Sequence, residues 1–206
     1  MTFSLLRKCA RLGSLVSRNN TPEPPVPALV TSTATAVRET ADTYSFCLQS
    51  FDSLLGTLEK ITFTLSASIK ATFSFDNPSR HLAEVSFHNK ITLHLHSDGT
   101  AIAMNGKTSF MVKTKVAAGE KYNSGEKIRV VPFDSTEYSQ PEILALFAAE
   151  GGGETDLTLI SNCAKSFQSK GGFGIYNHHM ELDATLDVAY VYSPFADAAL
   201  KQSPRR

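Results

Sequence analysis

Apolar and polar residues alternate strictly from Ile61 to Phe75. A period of two places successive side chains on opposite faces of a β-strand, so this segment predicts a long strand with one buried face and one polar face. The same alternation runs from Val85 to Leu95, with histidine, lysine and threonine on the outward side. The intervening Asp76–Ser79 has turn composition, and the two segments are therefore predicted to be two strands connected by a turn.

Short alternating runs separated by turn residues predict further strands. Asn105-Gly106 is a strong hairpin signal because both residues tolerate a positive φ. It predicts a hairpin between strands at 100–104 and 108–116. Further strands are predicted at 127–133, 155–161, 164–168, 172–180 and 186–192.

Three segments have helical spacing instead. Between 43 and 59, apolar residues recur at intervals of three and four, which predicts an amphipathic helix with one apolar face. Ser139 and Glu142 have capping-box spacing, which predicts a second helix beginning nearby and ending at the glycines 151–153. A short third helix is predicted at 194–201.

The predicted order is an amphipathic helix followed by two units of four strands and a helix. We therefore predict an α+β fold with two tandem ββββα repeats, in which antiparallel sheets pack against the helices. Residues 21–42 include a Pro- and Thr-rich stretch and are expected to form a linker. The single domain is expected to span 43–202, with a basic tail at 203–206.

Residues 1–20 contain four basic residues, no acidic residue and scattered apolar residues. An amphipathic, arginine-containing, acid-free start is typical of a mitochondrial transit peptide, and the alternative is a disordered basic arm. The three cysteines are widely spaced and form no CxxC pair, which favours a reducing compartment. Every apolar run is shorter than the roughly 20 residues that a membrane-spanning helix needs.

The formal net charge of zero conceals an uneven distribution along the chain. Residues 60–130 hold ten basic and five acidic residues, whereas residues 131–160 hold six acidic residues and no basic one. The basic part is predicted to be mostly strand and the acidic part mostly helix. This separation suggests that the sheet face and the helical face have different partners.

One stretch of the chain resembles a known family. Residues 105–127 read NGKTSFMVKTKVAAGEKYNSGEK, and they are similar to a strand, a Gly-basic-Tyr loop and the following strand of the plant Whirly proteins. Upstream, Phe87–Leu93 corresponds to a lysine-containing strand of that family, with Lys90 at a basic position. A transit peptide ahead of such a domain resembles the kinetoplastid mitochondrial RNA-binding proteins, which belong to the same fold family.

This resemblance implies a Whirly-like fold and a role in the mitochondrial matrix. Members of that group form heterotetramers that bind guide RNA and promote its annealing to messenger RNA for uridine insertion/deletion editing. By resemblance, we expect a non-enzymatic subunit that binds single-stranded RNA, needs no cofactor, has a related partner subunit and contacts no membrane. The alternative is a structural subunit of a mitochondrial assembly that makes no nucleic-acid contact.

The candidate RNA-contacting residues are polar or basic side chains on outward strand positions or adjoining loops. Lysine on an exposed sheet face can pair with phosphates without reading bases. An alternative role for the same lysines is to solvate the sheet and discourage edge pairing. Because few aromatic residues lie on this face, contact is expected to depend on the backbone more than on base stacking. The candidates are Lys70, His88, Lys90, Thr92, His94, Lys113, Lys115, Lys121, Tyr122, Lys127 and Arg129.

The histidines raise the alternative of a metal site. His94 and His96 share one strand face, and His178-His179 could supply a third ligand, as in a cupin-type enzyme. No glutamate follows at a fitting interval, so no metal site is predicted. The chain contains no GxSxG motif, no Walker loop and no GxGxxG that opens a helix after a strand, so no catalytic residue is predicted.

Overall fold

The computed structural model describes residues 26–97 and 102–195, which form two antiparallel sheets packed face to face. Sheet I has the order β1 (Ala28–Thr35), β13 (Ile175–Pro194), β5 (Gly56–Asp76), and along the far edge of β5 lie β8 (Lys121–Asn123), β9 (Lys127–Val131) and β10 (Thr136–Tyr138). Sheet II has the order β2 (Val37–Arg38), β3 (Thr43–Gln49), β12 (Glu154–Lys170), β6 (Ala83–His96), β7 (Ala103–Val116). A minor parallel pair joins β4 (Phe51–Asp52) to β11 (Ala148–Ala149).

The alternating patterns at 61–75 and 85–95 correctly predicted β5 and β6. Their apolar side chains form the core between the sheets, where Phe63, Phe73 and Phe87 are fully buried. The Phe73 and Phe87 rings meet across the gap with centroids 5.6 Å apart. The two strands follow one another in the chain but belong to different sheets, so the turn between them crosses the sandwich.

The predicted α+β fold with two ββββα repeats is wrong, and so is its leading helix at 43–59. Those residues form β3, β4 and the start of β5. Tyr44, Phe46 and Leu48 are buried at alternate positions, whereas Leu54, which the helical pattern placed on the apolar face, is 56% exposed. Aromatic, threonine and cysteine residues in this segment fit a pleated surface, and pairing with β12 overrides the weak helical spacing.

The second predicted helix is also much shorter than expected. It consists of α1 (Pro141–Leu144) and a single 3-10 turn (Ala145–Phe147). Ile143 and Phe147 anchor this turn in the core. The chain then becomes extended because Ala148 and Ala149 pair with β4.

Three further predictions are corrected by strand pairing. The predicted hairpin at Asn105-Gly106 is wrong, because both residues lie within the continuous strand β7. Gly106 serves close packing there: a Cβ at this position would lie 2.5 Å from Phe133 Cζ and 2.6 Å from Val131 Cγ1. Residues 28–35, which composition assigned to a linker, form β1 and pair with β13. The four predicted strands between 155 and 192 are two long ones, β12 and β13.

The predicted transit peptide (1–20), terminal helix (194–201, beyond Phe195) and basic tail (203–206) lie outside the described residues. Within the described ranges, no helix is long and apolar enough to cross a membrane.

Candidate nucleic-acid interface

The outer face of sheet II carries a concentration of positive charge. Between Glu84 and Thr92 of β6, the outward positions of β6 and its two neighbours hold five lysines and one glutamate, a net charge of +4. All five lysines are exposed. We refer to them as the basic face, which consists of Lys90, Lys107, Lys113, Lys115 and Lys170.

Strand register brings these lysines together from three separate parts of the chain. Glu84 lies opposite Lys115 of β7 on one side and opposite Lys170 of β12 on the other. Two residues further along β6, Ser86 lies opposite Lys113. Residues two apart in a strand share a face, so the lysines project from one surface although up to 80 residues separate them in sequence.

Only one lysine of the basic face is neutralised within the described chain. Lys115 Nζ lies 2.9 Å from Glu84 Oε1. This contact raises the pKa of Lys115 and lowers the pKa of Glu84, with a smaller lowering contribution from Lys170. None of the described residues forms an ion pair with the other four lysines, so most of the positive charge is unpaired within residues 26–97 and 102–195.

A shallow depression lies at the Lys170 end of the basic face. Its volume is about 410 Å³. It is lined by Glu84, Val85, Ser86, Lys113, Thr114, Lys115, Gln168 and Lys170. Three ammonium groups beside hydroxyl and amide groups can surround an anion such as a phosphate, for which lysine serves as a point charge.

The outer face of sheet I has the opposite balance. Its outward side holds three lysines and six carboxylates, and each lysine is paired. Lys60 bonds Glu137 at 3.1 Å, Lys70 bonds Asp183 at 3.0 Å and Lys121 bonds Asp76 at 2.9 Å. The carboxylates raise the pKa of Lys70 and of Lys121. Two of the candidate residues, Lys70 and Lys121, therefore lie on the face opposite the basic face.

Three other candidates also lie away from the basic face. Tyr122 is half-buried against the core, with its ring centroid 6.4 Å from that of Phe87. Lys127 and Arg129 are exposed on β9, beside the edge of β7, where they line a groove with Phe110–Val112. They flank the basic face around the edge of the sandwich and do not belong to its surface.

The remaining candidates, His88, Thr92 and His94, are on the outer face of sheet II with Lys90, Lys113 and Lys115. His94 Nδ1 is hydrogen-bonded to Asn105 Oδ1 of the neighbouring strand. His178 projects between the sheets from β13, so the sandwich does not bring it together with His94 and His96. Among the described residues, no group of three or more potential metal ligands occurs.

Sequence reasoning did not select Lys107 and Lys170. Lys107 has the same parity as Lys113 and Lys115, but the supposed turn at Asn105-Gly106 removed it from the strand. Lys170 was placed beyond a strand predicted to end at 168, whereas β12 continues to Lys170. Both lysines would have been found by extending the predicted strands and selecting lysines an even number of residues from the other outward positions.

The half-buried His178 gives the fold a predicted pH dependence. Partial burial lowers the pKa of His178, and the positive charges of Lys165 and His179 lower it further. Below about pH 6.5, the ordinary histidine pKa, the unfolded chain therefore binds more protons than the folded one. The stability that comes from keeping His178 neutral is fully present above that pH, and it is lost as the pH falls toward the folded-state pKa of His178.

Urea unfolding at pH 7.5 and 5.5 tests this dependence. We expect His178→Gln to lose less stability on acidification than the wild type. An equal loss would show that His178 does not cause the pH dependence.

No family model and no curated protein sequence matches the chain. Among solved structures, the chain has weak similarity to a structure of mud crab tombus-like virus, with 8% identity, a TM-score of 0.25, and coverage of 99% of this chain and 100% of that one. It is also weakly similar to the Gx strain of infectious bursal disease virus, with 16% identity, a TM-score of 0.18, and coverage of 84% and 38%. It is likewise weakly similar to the T13 particle of the same virus, with 14% identity, a TM-score of 0.15, and coverage of 86% of this chain and 42% of that one. The chain spans less than half the length of the last two chains, and TM-scores this low support no conclusion about fold or function.

Proposed function

We propose that this protein binds single-stranded RNA through phosphates that contact the basic face. The observation that carries the proposal is the cluster of five lysines around a single glutamate on one polar sheet surface. Four of those lysines have no carboxylate partner in the described chain. An uncompensated row of ammonium groups suits a polyanion, because each phosphate contact releases condensed counterions.

The composition of the face favours backbone contact over base recognition. Apart from the imidazoles and Glu84, its outward positions are serine, threonine, asparagine, glutamine, alanine and lysine, with the exposed Met111 between the lysine rows. Sequence-tolerant stacking of bases requires aromatic platforms, and the outer side of β6, β7 and the end of β12 has no Phe, Tyr or Trp. Binding should therefore depend strongly on salt and weakly on RNA sequence.

A role in annealing guide RNA to messenger RNA is the finer form of this proposal. Neutralising the phosphates lowers the repulsion between two strands while their bases stay free to pair, so annealing would need no catalytic residue. The support for guide RNA, for a related partner subunit in a heterotetramer and for the mitochondrial matrix is the sequence resemblance alone. The predicted pair of ββββα repeats no longer supports this resemblance, because the described fold is an all-β sandwich.

The proposal can be tested by a salt series with alanine variants. We expect the wild type to retain a short oligo(U) RNA on filters with a log–log salt slope near −3, because four unpaired lysines contribute roughly 0.7 each. Replacing Lys90, Lys113 and Lys170 with alanine should reduce the slope by about 2 units and weaken binding at every salt concentration.

A matched control tests the opposite face of the sandwich. Alanine at Lys60, Lys70 and Lys121 removes the same number of charges from the outer face of sheet I. We expect this control to bind as tightly as the wild type. Salt-independent or absent retention of RNA by the wild type would reject RNA binding through the basic face. Equal losses in the two triple variants would reject the assignment to the basic face.

A further inference from the structure

Two long strand edges without a paired neighbour lie on the same side of the sandwich. β3 pairs with β12 only over Glu154–Ile160, and β1 pairs with β13 only over Thr185–Tyr192. In the described chain, residues 161–170 of β12 and 175–184 of β13 have no further strand beside them. The connection through residues 36–42 borders both edges, since Ala36 N–H bonds Ala184 O and Ser161 N–H bonds Asp42 O. Below this connection, the side of the sandwich is open.

The hydrogen-bond alternation identifies which backbone groups face the opening. Ala184 bonds toward β1, so the residues two, four, six and eight positions before it direct their N–H and C=O groups to the same side. These residues are Leu182, Met180, His178 and Tyr176. An exposed row of unpaired backbone groups is a template for one additional strand.

The side chains at the opening are also incompletely covered. Tyr176, Met180 and Leu182 pack against the core but remain partly exposed. The Tyr176 ring stacks on Phe167 of β12 with centroids 4.8 Å apart. Further in, the fully buried Asn89 has no described hydrogen-bond partner for its Oδ1, and the buried Tyr176 Oη also lacks one. An added strand would cover the apolar groups at the opening.

The two edges differ in how well they can accept a strand. Lys165 lies at the middle of the β12 edge, on the side of the strand that faces the gap. A charge in this position opposes edge pairing because a new strand would bury it. β13 contains no lysine or arginine, and its outward side carries Glu181 and Asp183 within the free segment. The edge of β13 is therefore the receptive one.

We propose that the free edge of β13, over residues 175–184, accepts an extended segment of a partner protein as an additional strand of sheet I. The segment alternates apolar and basic side chains. Apolar side chains would enter the gap beside Tyr176, Met180 and Leu182. Basic side chains would lie next to Glu181, which also contacts His179, and next to Asp183, which also pairs with Lys70. Opposite charges across strands are favourable at these positions. Main-chain hydrogen bonds would supply affinity, and the alternating side chains would supply specificity.

A synthetic peptide of nine alternating valines and lysines is a direct probe of this edge. We expect the full-length protein to bind the fluorescently labelled peptide saturably in an anisotropy titration. A peptide with glutamate in place of lysine should bind at least 10-fold more weakly. A third peptide, methylated on the backbone nitrogens that would pair, should not bind, which distinguishes strand addition from attraction between opposite charges.

Proline variants test the edge from the protein side. The Met180 N–H faces the opening, so Met180→Pro removes an edge donor without removing a bond to β5. The matched control is Cys163→Pro on the edge of β12, whose N–H faces the same opening. We expect Met180→Pro to weaken peptide binding at least 10-fold and Cys163→Pro to leave it unchanged.

Three results would overturn the proposal. The first is that the methylated peptide binds as tightly as the unmethylated one, a comparison that needs no protein variant and so does not depend on whether Met180→Pro folds. The second is that folded Met180→Pro binds the peptide as tightly as the wild type. The third is that the wild type does not bind the peptide but forms a dimer, measured by sedimentation, which Met180→Pro dissociates. In that case, the added strand belongs to a second copy of this chain. The prediction is independent of RNA binding, which uses the other sheet.

Discussion

Replacing Asn77 with alanine is expected to lower the free energy of unfolding by about 3 kcal/mol, because a hydrogen-bond network loses the fully buried amide at its centre. Asn77 is 0% exposed. Its Nδ2 donates to the carbonyl oxygens of His81, Val116 and Ala117 at 2.9–3.0 Å. Its Oδ1 accepts from the backbone N–H and the hydroxyl of Ser79.

The position of Asn77 explains why this loss should be large. The amide ties the turn between β5 and β6 to the end of β7, and its backbone N–H bonds Glu120 O beyond β7. Alanine removes the amide donor from the buried carbonyl of Val116 and from the partly buried carbonyl of Ala117. It also leaves Ser79 without its amide acceptor, and each buried group that loses its partner costs about 1–3 kcal/mol before relaxation. Because the two sheets meet at this turn, the same change should loosen the Lys115 end of the basic face.

Urea unfolding followed by circular dichroism measures the Asn77 effect. Asn77→Asp should be at least as harmful, since it places a carboxylate against three carbonyl oxygens. Asn162→Ala is the matched control, because Asn162 is exposed on the outer face of sheet II, and a change within about 0.5 kcal/mol is expected there. A loss below about 1 kcal/mol for Asn77→Ala would show that the network does not hold the turn.

Reversing the charge of Lys113 and Lys170 together should weaken binding of single-stranded RNA by roughly 100-fold near physiological salt, if the basic face is the RNA site. Lys113 lies opposite Ser86, Lys170 lies opposite Glu84, and both side chains line the same depression. Glutamate at both positions converts the local charge from predominantly positive to negative. Phosphate contacts are thus replaced by repulsion.

Two controls make the charge-reversal experiment specific. Lys60→Glu with Lys121→Glu reverses two charges on the outer face of sheet I and should change affinity far less. Glu84→Gln removes the only carboxylate of the basic face and should strengthen binding. Unchanged thermal unfolding would show that the variants are folded, and unchanged RNA affinity of Lys113→Glu/Lys170→Glu would exclude the basic face as the RNA site.

The candidate site was predicted only in part. The sequence shows which residues of a strand face the same way, but it does not show where the strands begin and end. Six of the eleven candidates, including Lys90, Lys113 and Lys115, lie on the outer face of sheet II, as their alternation with buried residues indicated. Lys70 obeys the same alternation on β5, yet it lies on the opposite side of the molecule. Alternation distinguishes inside from outside within one strand, but it does not assign the strand to a sheet.

The helical predictions failed for a related reason. The segment 43–59 has apolar residues that satisfy both a helical stripe and, in its first half, a strand. The choice is made by β12, which pairs with Thr43–Gln49 from more than 100 residues away. Local spacing contains no information about so distant a partner, so propensity and pattern could not settle this segment.

By itself, the sequence determined the long strands β5 and β6, the buried side of each and the polar character of their outer faces. These features follow from a period of two, which is a property of consecutive residues. The tertiary structure decided that the two strands belong to opposite sheets, that Lys70 and Lys121 are neutralised while Lys113 and Lys170 share a surface, and that one edge of β13 is left open. Each of these depends on register between distant segments, where the free energy of pairing and burial, and not local preference, selects the neighbour.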